Sequence, residues 1–449
     1  FAVANGGSDD VSVFFNNGDG SFDRQRTIAA GDGPESLEVV DANADAHVDL
    51  IIANVLSNDL TVHLNNGDGT FTAANTYETA VTPASIAISD LDSDGDEDVL
   101  AIDPLNERAA ALFNDGNGGF TVQQTFGVGN RPVHGTTLDI DGDRACDLVV
   151  TNRDRRRITC YFNQGDGSFP GYTEIATEFT RHDVITPDLN NDQNADLVVS
   201  GGYETDDPVE VRFFLNNGLG SFGAPQTLAT NGDYAASITA ADFDGDGDQD
   251  IAAGNDYQSD DPVSILTNNG VDGFVISQFL DFDGNVQALA APDLNMDGLA
   301  DLVAGTTTAR VAVRLNDGEG SFVDAGFIEA EGDPFHFTVA DFDTDSDPDL
   351  AFLNGAGYGY SFGVSIMFND GTGAFSKAEI NGNWPWPRAL AAADFDNDSY
   401  VDLAVANEIG HNVSVVLNNG NGTFAPQQVY AAGDEPFDIA AADVELDGD

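Results

Sequence analysis

Five aspartates alternate along one nine-residue stretch: Asp90, Asp92, Asp94, Asp96 and Asp98. Side-chain oxygens at positions 1, 3, 5 and 9 of such a stretch, joined by a backbone carbonyl at position 7, make a set of hard, mostly charged donors of the kind Ca2+ takes. The frame returns as Asp41, Asn43, Asp45, Asp49; as Asp139, Asp141, Asp143, Asp147; as Asp188, Asn190, Asp192, Asp196; and as Asp242, Asp244, Asp246, Asp250. It continues as Asp293, Asn295, Asp297, Asp301; as Asp341, Asp343, Asp345, Asp349; and as Asp394, Asp396, Asp398, Asp402. Asn replaces Asp three times, always at position 3, where an amide oxygen can still coordinate. Asp- and Asn-rich turns also occur where they only satisfy turn backbones, but eight copies in one register point to calcium at about eight sites. A ninth string, Asp443, Glu445, Asp447, lacks its last ligand and is expected to be incomplete. Position 6, where Gly permits a sharp turn, is Gly95, Gly247 and Gly298 in three loops. Elsewhere it is Ala46, Arg144, Gln193, Ser346 and Ser399, so those five sites are expected to be weaker or strained.

The acidic loops alternate with a second string, Asn-x-Gly-x-x-x-Phe, which begins at Asn16, Asn65, Asn114, Asn163, Asn216, Asn268, Asn316, Asn369 and Asn418. A period of about 50 residues without a helical pattern falls in the range of propeller blades. In the clearest repeat, Ile86 to Ile88 alternates as a short strand, the acidic loop follows, and Val99 to Ile102 is a second apolar strand. A charged turn leads to Ala110 to Phe113, and the Gly-rich turn then leads to a fourth strand at Phe120 to Phe126. Four strands, A to D, joined by tight turns describe one antiparallel blade. Phe1 to Asn5 aligns with strand B at Leu50 to Asn54, while Phe437 to Asp449 supplies a strand A and most of an acidic loop. The sequence therefore predicts an all-β propeller, a single domain over residues 1–449, with nine blades if N- and C-terminal strands close the ring in one composite blade. A ring of seven or eight blades with flanking repeats, or a segment of a longer array, stays open at this point.

Bulk properties narrow the partners. No composition break divides the 449 residues, and the longest apolar runs are strand-length, so membrane insertion is not expected. The 78 acidic residues against 15 basic ones give a net charge of −63, which repels nucleic acid and anionic membranes alike. Nine divalent ions would neutralise under a third of that charge. Lys377 is the single lysine, and such a balance suits a protein kept soluble in high salt, where self-repulsion is screened. The chain opens at Phe1 and stops inside an acidic string, so a piece of a longer extracellular protein is expected. Cys146 and Cys160 could form one disulfide or remain two thiols.

With these motifs in place, the chain resembles the FG-GAP or VCBS repeat family, the propeller type similar to that of integrin α-subunits. Phe222-Gly223-Ala224-Pro225 nearly spells the family name. The resemblance implies Ca2+ between strands A and B of each blade. It also implies roles in adhesion, carbohydrate binding or extracellular assembly, outside the cell or at its surface. Its usual seven blades differ from the nine repeats counted here.

Strand order places the acidic loops and Gly-rich turns on one face and the B-to-C and D-to-A turns on the other. The second face holds Tyr203, Tyr257, Tyr358 and Tyr360, together with the turn Asn383-Trp384-Pro385-Trp386-Pro387-Arg388, which contains both tryptophans. Trp384, Trp386, Tyr358 and Tyr360 are candidates for docking a glycan or a protein, because flat rings cover apolar area at little entropic cost; the same rings could instead seal adjacent blades. Arg153, Arg155, Arg156 and Arg157 form the basic cluster, a second candidate contact or a solvated turn. His134, His182 and His336 sit at or near one position of strand A, yet no His-Glu-x-x-His or Gly-x-Ser-x-Gly string occurs. No catalytic residues are assigned, and a non-enzymatic role is expected. The reading is a calcium-binding adhesion or recognition module for a glycan or extracellular protein. Its alternatives are a self-assembling structural subunit of a filament or surface layer, and a polysaccharide-processing enzyme.

Overall fold

The computed structural model describes residues 1–449 except 18, 23, 130–131, 153–155, 178–181, 202–209, 231–233, 257–262, 271–272, 283, 319, 331, 356–362, 379, 381 and 443–449. Among the described residues, 36 strands pair into nine four-stranded antiparallel sheets, the blades of a nine-bladed β-propeller. None of the described residues forms a helix long and apolar enough to cross a membrane.

Blade 1 shows why the local sequence folds this way. Its strands are A (Pro34–Val40), B (Asp49–Asn54), C (Asp59–His63) and D (Asn75–Glu78). Strand B is buried along its whole length because both of its faces are covered. Leu50 and Ile52 enter the core shared with the composite blade, whereas Ile51 and Ala53 enter the core shared with blade 2. A continuous apolar run is what a strand buried on both faces requires. Each of the buried Leu and Ile side chains contributes roughly 1.5–3 kcal/mol of burial. Strand D, at the outer edge, is mostly exposed.

The ring closes through the chain ends. Pro436–Ala440 pairs antiparallel with Ala2–Asn5 in the register Ala2↔Ala440, Val3↔Ile439, Ala4↔Asp438, and Asp10–Phe15 and Arg24–Ala29 complete that blade. Nine apolar clusters lie between the nine pairs of neighbouring blades, numbered in chain order from blade 1 with the composite blade as the ninth; the one joining blade 8 to the composite blade packs Phe1, Phe14 and Phe22 against Phe395 and Val415. Nine blades thus replace the smaller ring and the open array. Glycine permits the close approach of blades: a Cβ on Gly167, at φ +65°, would lie 1.8 Å from the Phe113 ring of the preceding blade. Both thiols are free. Cys160 is buried between blades 3 and 4, and Cys146 faces the cluster between blades 2 and 3.

Candidate metal centres

Each acidic loop is a tight coil between strands A and B. In all eight described loops the residue at position 4 is left-handed, with φ between 54° and 79°, and so is the residue at position 6, between 70° and 95°. Ala46, Arg144, Gln193, Ser346 and Ser399 hold that conformation at position 6 without being glycine, at a cost of about 1 kcal/mol or more each. Local hydrogen bonds support the coil. In loop 188–196 the Gln193 N–H donates to Asp188 Oδ2 at 2.8 Å, the Asp192 N–H to Asn190 Oδ1 at 3.0 Å and the Asn194 N–H to Asp192 Oδ1 at 2.9 Å.

Five loops bring three carboxylates together, with one oxygen from each lying within 4.8 Å of the others: Asp90, Asp92, Asp94; Asp139, Asp141, Asp147; Asp242, Asp244, Asp246; Asp341, Asp343, Asp349; and Asp394, Asp396, Asp402. In the other three described loops, Asn43, Asn190 and Asn295 substitute an amide at position 3. The donor set is all oxygen, and Asp90 Oδ1 is buried with no hydrogen-bond partner. The residues therefore fit a hard divalent cation, and positions 1, 3, 5 and 9 are those that would hold it. Burial, above all, raises the carboxyls of Asp92, Asp141, Asp244, Asp343 and Asp396 above the usual aspartate range, and their neighbours at position 5 add to it.

Position 9 is the most buried ligand. Asp49, Asp98, Asp147, Asp196, Asp250, Asp301, Asp349 and Asp402 are fully enclosed. Oδ2 of each accepts the N–H of position 2, as from Ala42 to Asp49 at 2.9 Å. Oδ1 accepts the N–H of the Asn that opens the Gly-rich turn, as from Asn65 to Asp49 at 2.7 Å. Burial pushes these carboxyls up to about 6 in Asp49, Asp98, Asp147 and Asp196 and to about 7 in Asp250, Asp349 and Asp402, although the two amide donors oppose the shift. Asp301 moves in the same direction for the same reason.

The Asn residues of the Gly-rich turns do more than open a turn. Asn114 Nδ2 donates to Ala42 O of the preceding blade's acidic loop at 2.8 Å, and Asn163, Asn216 and Asn268 donate to Leu91, Ile140 and Leu189 O at 2.6 Å. Asn316, Asn369, Asn418 and Asn16 reach Phe243, Leu294, Phe342 and Phe395 in the same way. Sequence reasoning assigned these residues only to turns. The signal available was an Asn repeated in every copy at a place where turn chemistry alone would also accept Asp or Ser.

The remaining candidates separate. Trp384 is only 6% exposed and belongs to the core between blades 7 and 8 with Ile366, Phe368 and Val405, so as an exposed docking ring it is corrected: it seals two blades. Trp386, in the left-handed conformation at φ 64°, is 43% exposed. The two tryptophans therefore do not form one surface patch. Tyr203, Tyr257, Tyr358, Tyr360, Arg153, Arg155 and the string Asp443, Glu445, Asp447 lie outside the described residues. Arg157 is described and pairs with Glu174 on the adjacent strand.

Comparison with solved structures finds similar folds at low identity. The chain is similar to an Agrocybe aegerita lectin described as recognising non-reducing terminal N-acetylglucosamine (18% identity, 73% of this chain and 89% of that one, TM-score 0.43). It is also similar to apo AztD from Citrobacter koseri (15%, 85% and 94%, 0.47) and to a functionally unknown protein from Desulfotomaculum acetoxidans (12%, 74% and 98%, 0.46). No curated protein matches the chain. The model of the FG-GAP-like repeat matches six times, over residues 41–101, 90–150, 139–199, 188–253, 293–352 and 394–449. Every match begins on the first aspartate of an acidic loop, so the unit that the family model recognises runs from one acidic loop into the next. Repeats that cover most of the chain, each folded as a blade around that loop, make this protein a member of the FG-GAP-like repeat family.

Proposed function

We propose that this chain is a calcium-loaded propeller that works outside the cell as an adhesion or recognition module for a glycan or an extracellular protein, without catalysis. The observation that carries this reading is the set of eight equivalent oxygen-lined loops, coiled alike and placed at one end of the A and B strands. Non-glycine residues held left-handed at position 6 in five of them favour weak sites, and weak calcium sites fill at the concentrations found outside cells. The opposite face is left for a partner. Its turns expose Leu56, Leu105, Ile409 and Trp386. Metal analysis of the chain dialysed against a calcium-containing buffer at the extracellular concentration tests the reading: about eight equivalents of Ca2+ are expected, and chelation at low salt should lower the melting temperature by on the order of ten degrees. An unchanged melt after verified removal would overturn it. Arrays of glycans and extracellular proteins, probed with the calcium-loaded chain and with Trp386→Ala, then identify the partner class.

One observation favours the assembly reading. The outer strand Phe274–Leu280 of blade 5 carries no charged residue and exposes Val275 and Phe279, on a chain where one residue in five is charged. Uncharged sheet edges pair with other chains. Light scattering that rises with concentration and is abolished by Phe279→Lys would support this second role.

A further inference from the structure

The metal loops are not separate from one another. Asn216 is buried, and its backbone N–H and both polar atoms of its side chain are engaged. Its backbone N–H donates to Asp196 Oδ1, the position-9 ligand of its own loop, at 2.6 Å. Its Nδ2 group is shared between Ala195 O of that loop, at 3.0 Å, and Ile140 O of the loop one blade back, at 2.6 Å. Its Oδ1 accepts the Gly218 N–H at 3.1 Å. In turn the Ile140 N–H donates at 2.9 Å to Asp147, the position-9 ligand of that earlier loop, and Asp147 accepts the N–H of Asn163 at 2.7 Å. Asn163 repeats the pattern to Leu91. The chain of bonds therefore runs ligand, Asn, neighbouring loop, ligand, and it crosses eight of the nine junctions between blades. At the ninth, the corresponding acidic string lies outside the described residues.

We infer that these Asn residues are positioning residues for two metal loops each, and that the belt they form couples neighbouring calcium sites so that filling one favours filling the next. The inference rests on the calcium reading of the loops. A cation that draws Asp147 and its loop into place also fixes the Ile140 carbonyl, and with it the amide that orders Asp196 in the next blade. The second loop then has less disorder to lose on binding, and that difference appears as positive coupling. Independent loops would show no such effect, since their ligands are local.

Equilibrium dialysis of the full chain with calcium, for the parent, Asp141→Ala and Asn216→Ala, tests this. Asp141→Ala removes one ligand from loop 139–147 and leaves the belt intact. It should cost one equivalent and also weaken the two adjacent loops at least threefold. Asn216→Ala, which removes no ligand, should weaken two equivalents, those of loops 139–147 and 188–196. In the double variant, the effect of Asp141→Ala on loop 188–196 should vanish. If Asp141→Ala removes one equivalent and the rest of its isotherm superimposes on that of the parent, the coupling is overturned, and this holds even if Asn216→Ala fails to fold. A parent chain that binds no calcium would overturn the reading of the loops themselves.

Discussion

Asp250 sits where two demands conflict. It is enclosed by the fold and held by two amide donors, yet it is surrounded by the carboxylates of its own loop, and burial pushes it up to about 7. Seven of the eight position-9 aspartates lie at about 6 or 7, so in the metal-free chain the folded state keeps protons that the unfolded chain releases near pH 4. Their contribution to stability is therefore complete below about pH 4 and is lost as pH rises through 6 to 7. A bound cation needs the ionised form, and this reverses the direction. Melts of metal-free protein should thus show a higher midpoint at pH 5 than at pH 7.5, whereas melts in saturating calcium should show the opposite order. The same order in both would mean that these carboxyls do not face the cation.

At the scale of an element, the turn 382–386 shows how one short segment serves two purposes. Trp384 fills the space between blades 7 and 8, whereas Trp386 turns outward from a left-handed backbone. Trp384→Ala would leave a cavity in a close-packed interface and should cost about 3–5 kcal/mol by urea denaturation. Trp386→Ala should cost less than about 1 kcal/mol. Equal costs for the two would show that both rings belong to the core.

For the whole molecule, closure is the feature on which most depends. Pro436–Ala440 forms the innermost strand of the composite blade, and Ile439 and Ala440 reach into the cores on its two sides. A chain ending at Glu435 loses those contacts and leaves Ala2–Asn5 as an unpaired inner edge. We expect such a chain to aggregate or to unfold without a single cooperative transition in size-exclusion and calorimetric measurements. A monomer that melts like the parent would mean the ring does not need its closing strand.

The acidic frame, the period, the four strands of each blade and the pairing of the two chain ends were all legible in the sequence, because each depends on residues a few positions apart or on the phase of a repeat. Asp90, Asp92 and Asp94 converge through the coil of one loop, and the left-handed strain at Arg144 or Gln193 follows from the absence of glycine at a fixed position. The number of blades in the ring was not fixed in this way, since it depends on the angle at which successive sheets pack, and that is set by side chains from two repeats at once. Nor could the bond from Asn216 to Ile140 be read, because it joins residues 76 apart through a contact between blades. The same holds for Trp384 and Trp386. Two residues apart in the chain and alike in chemistry, they were separated by the fold alone, which placed one between blades and left the other at the surface.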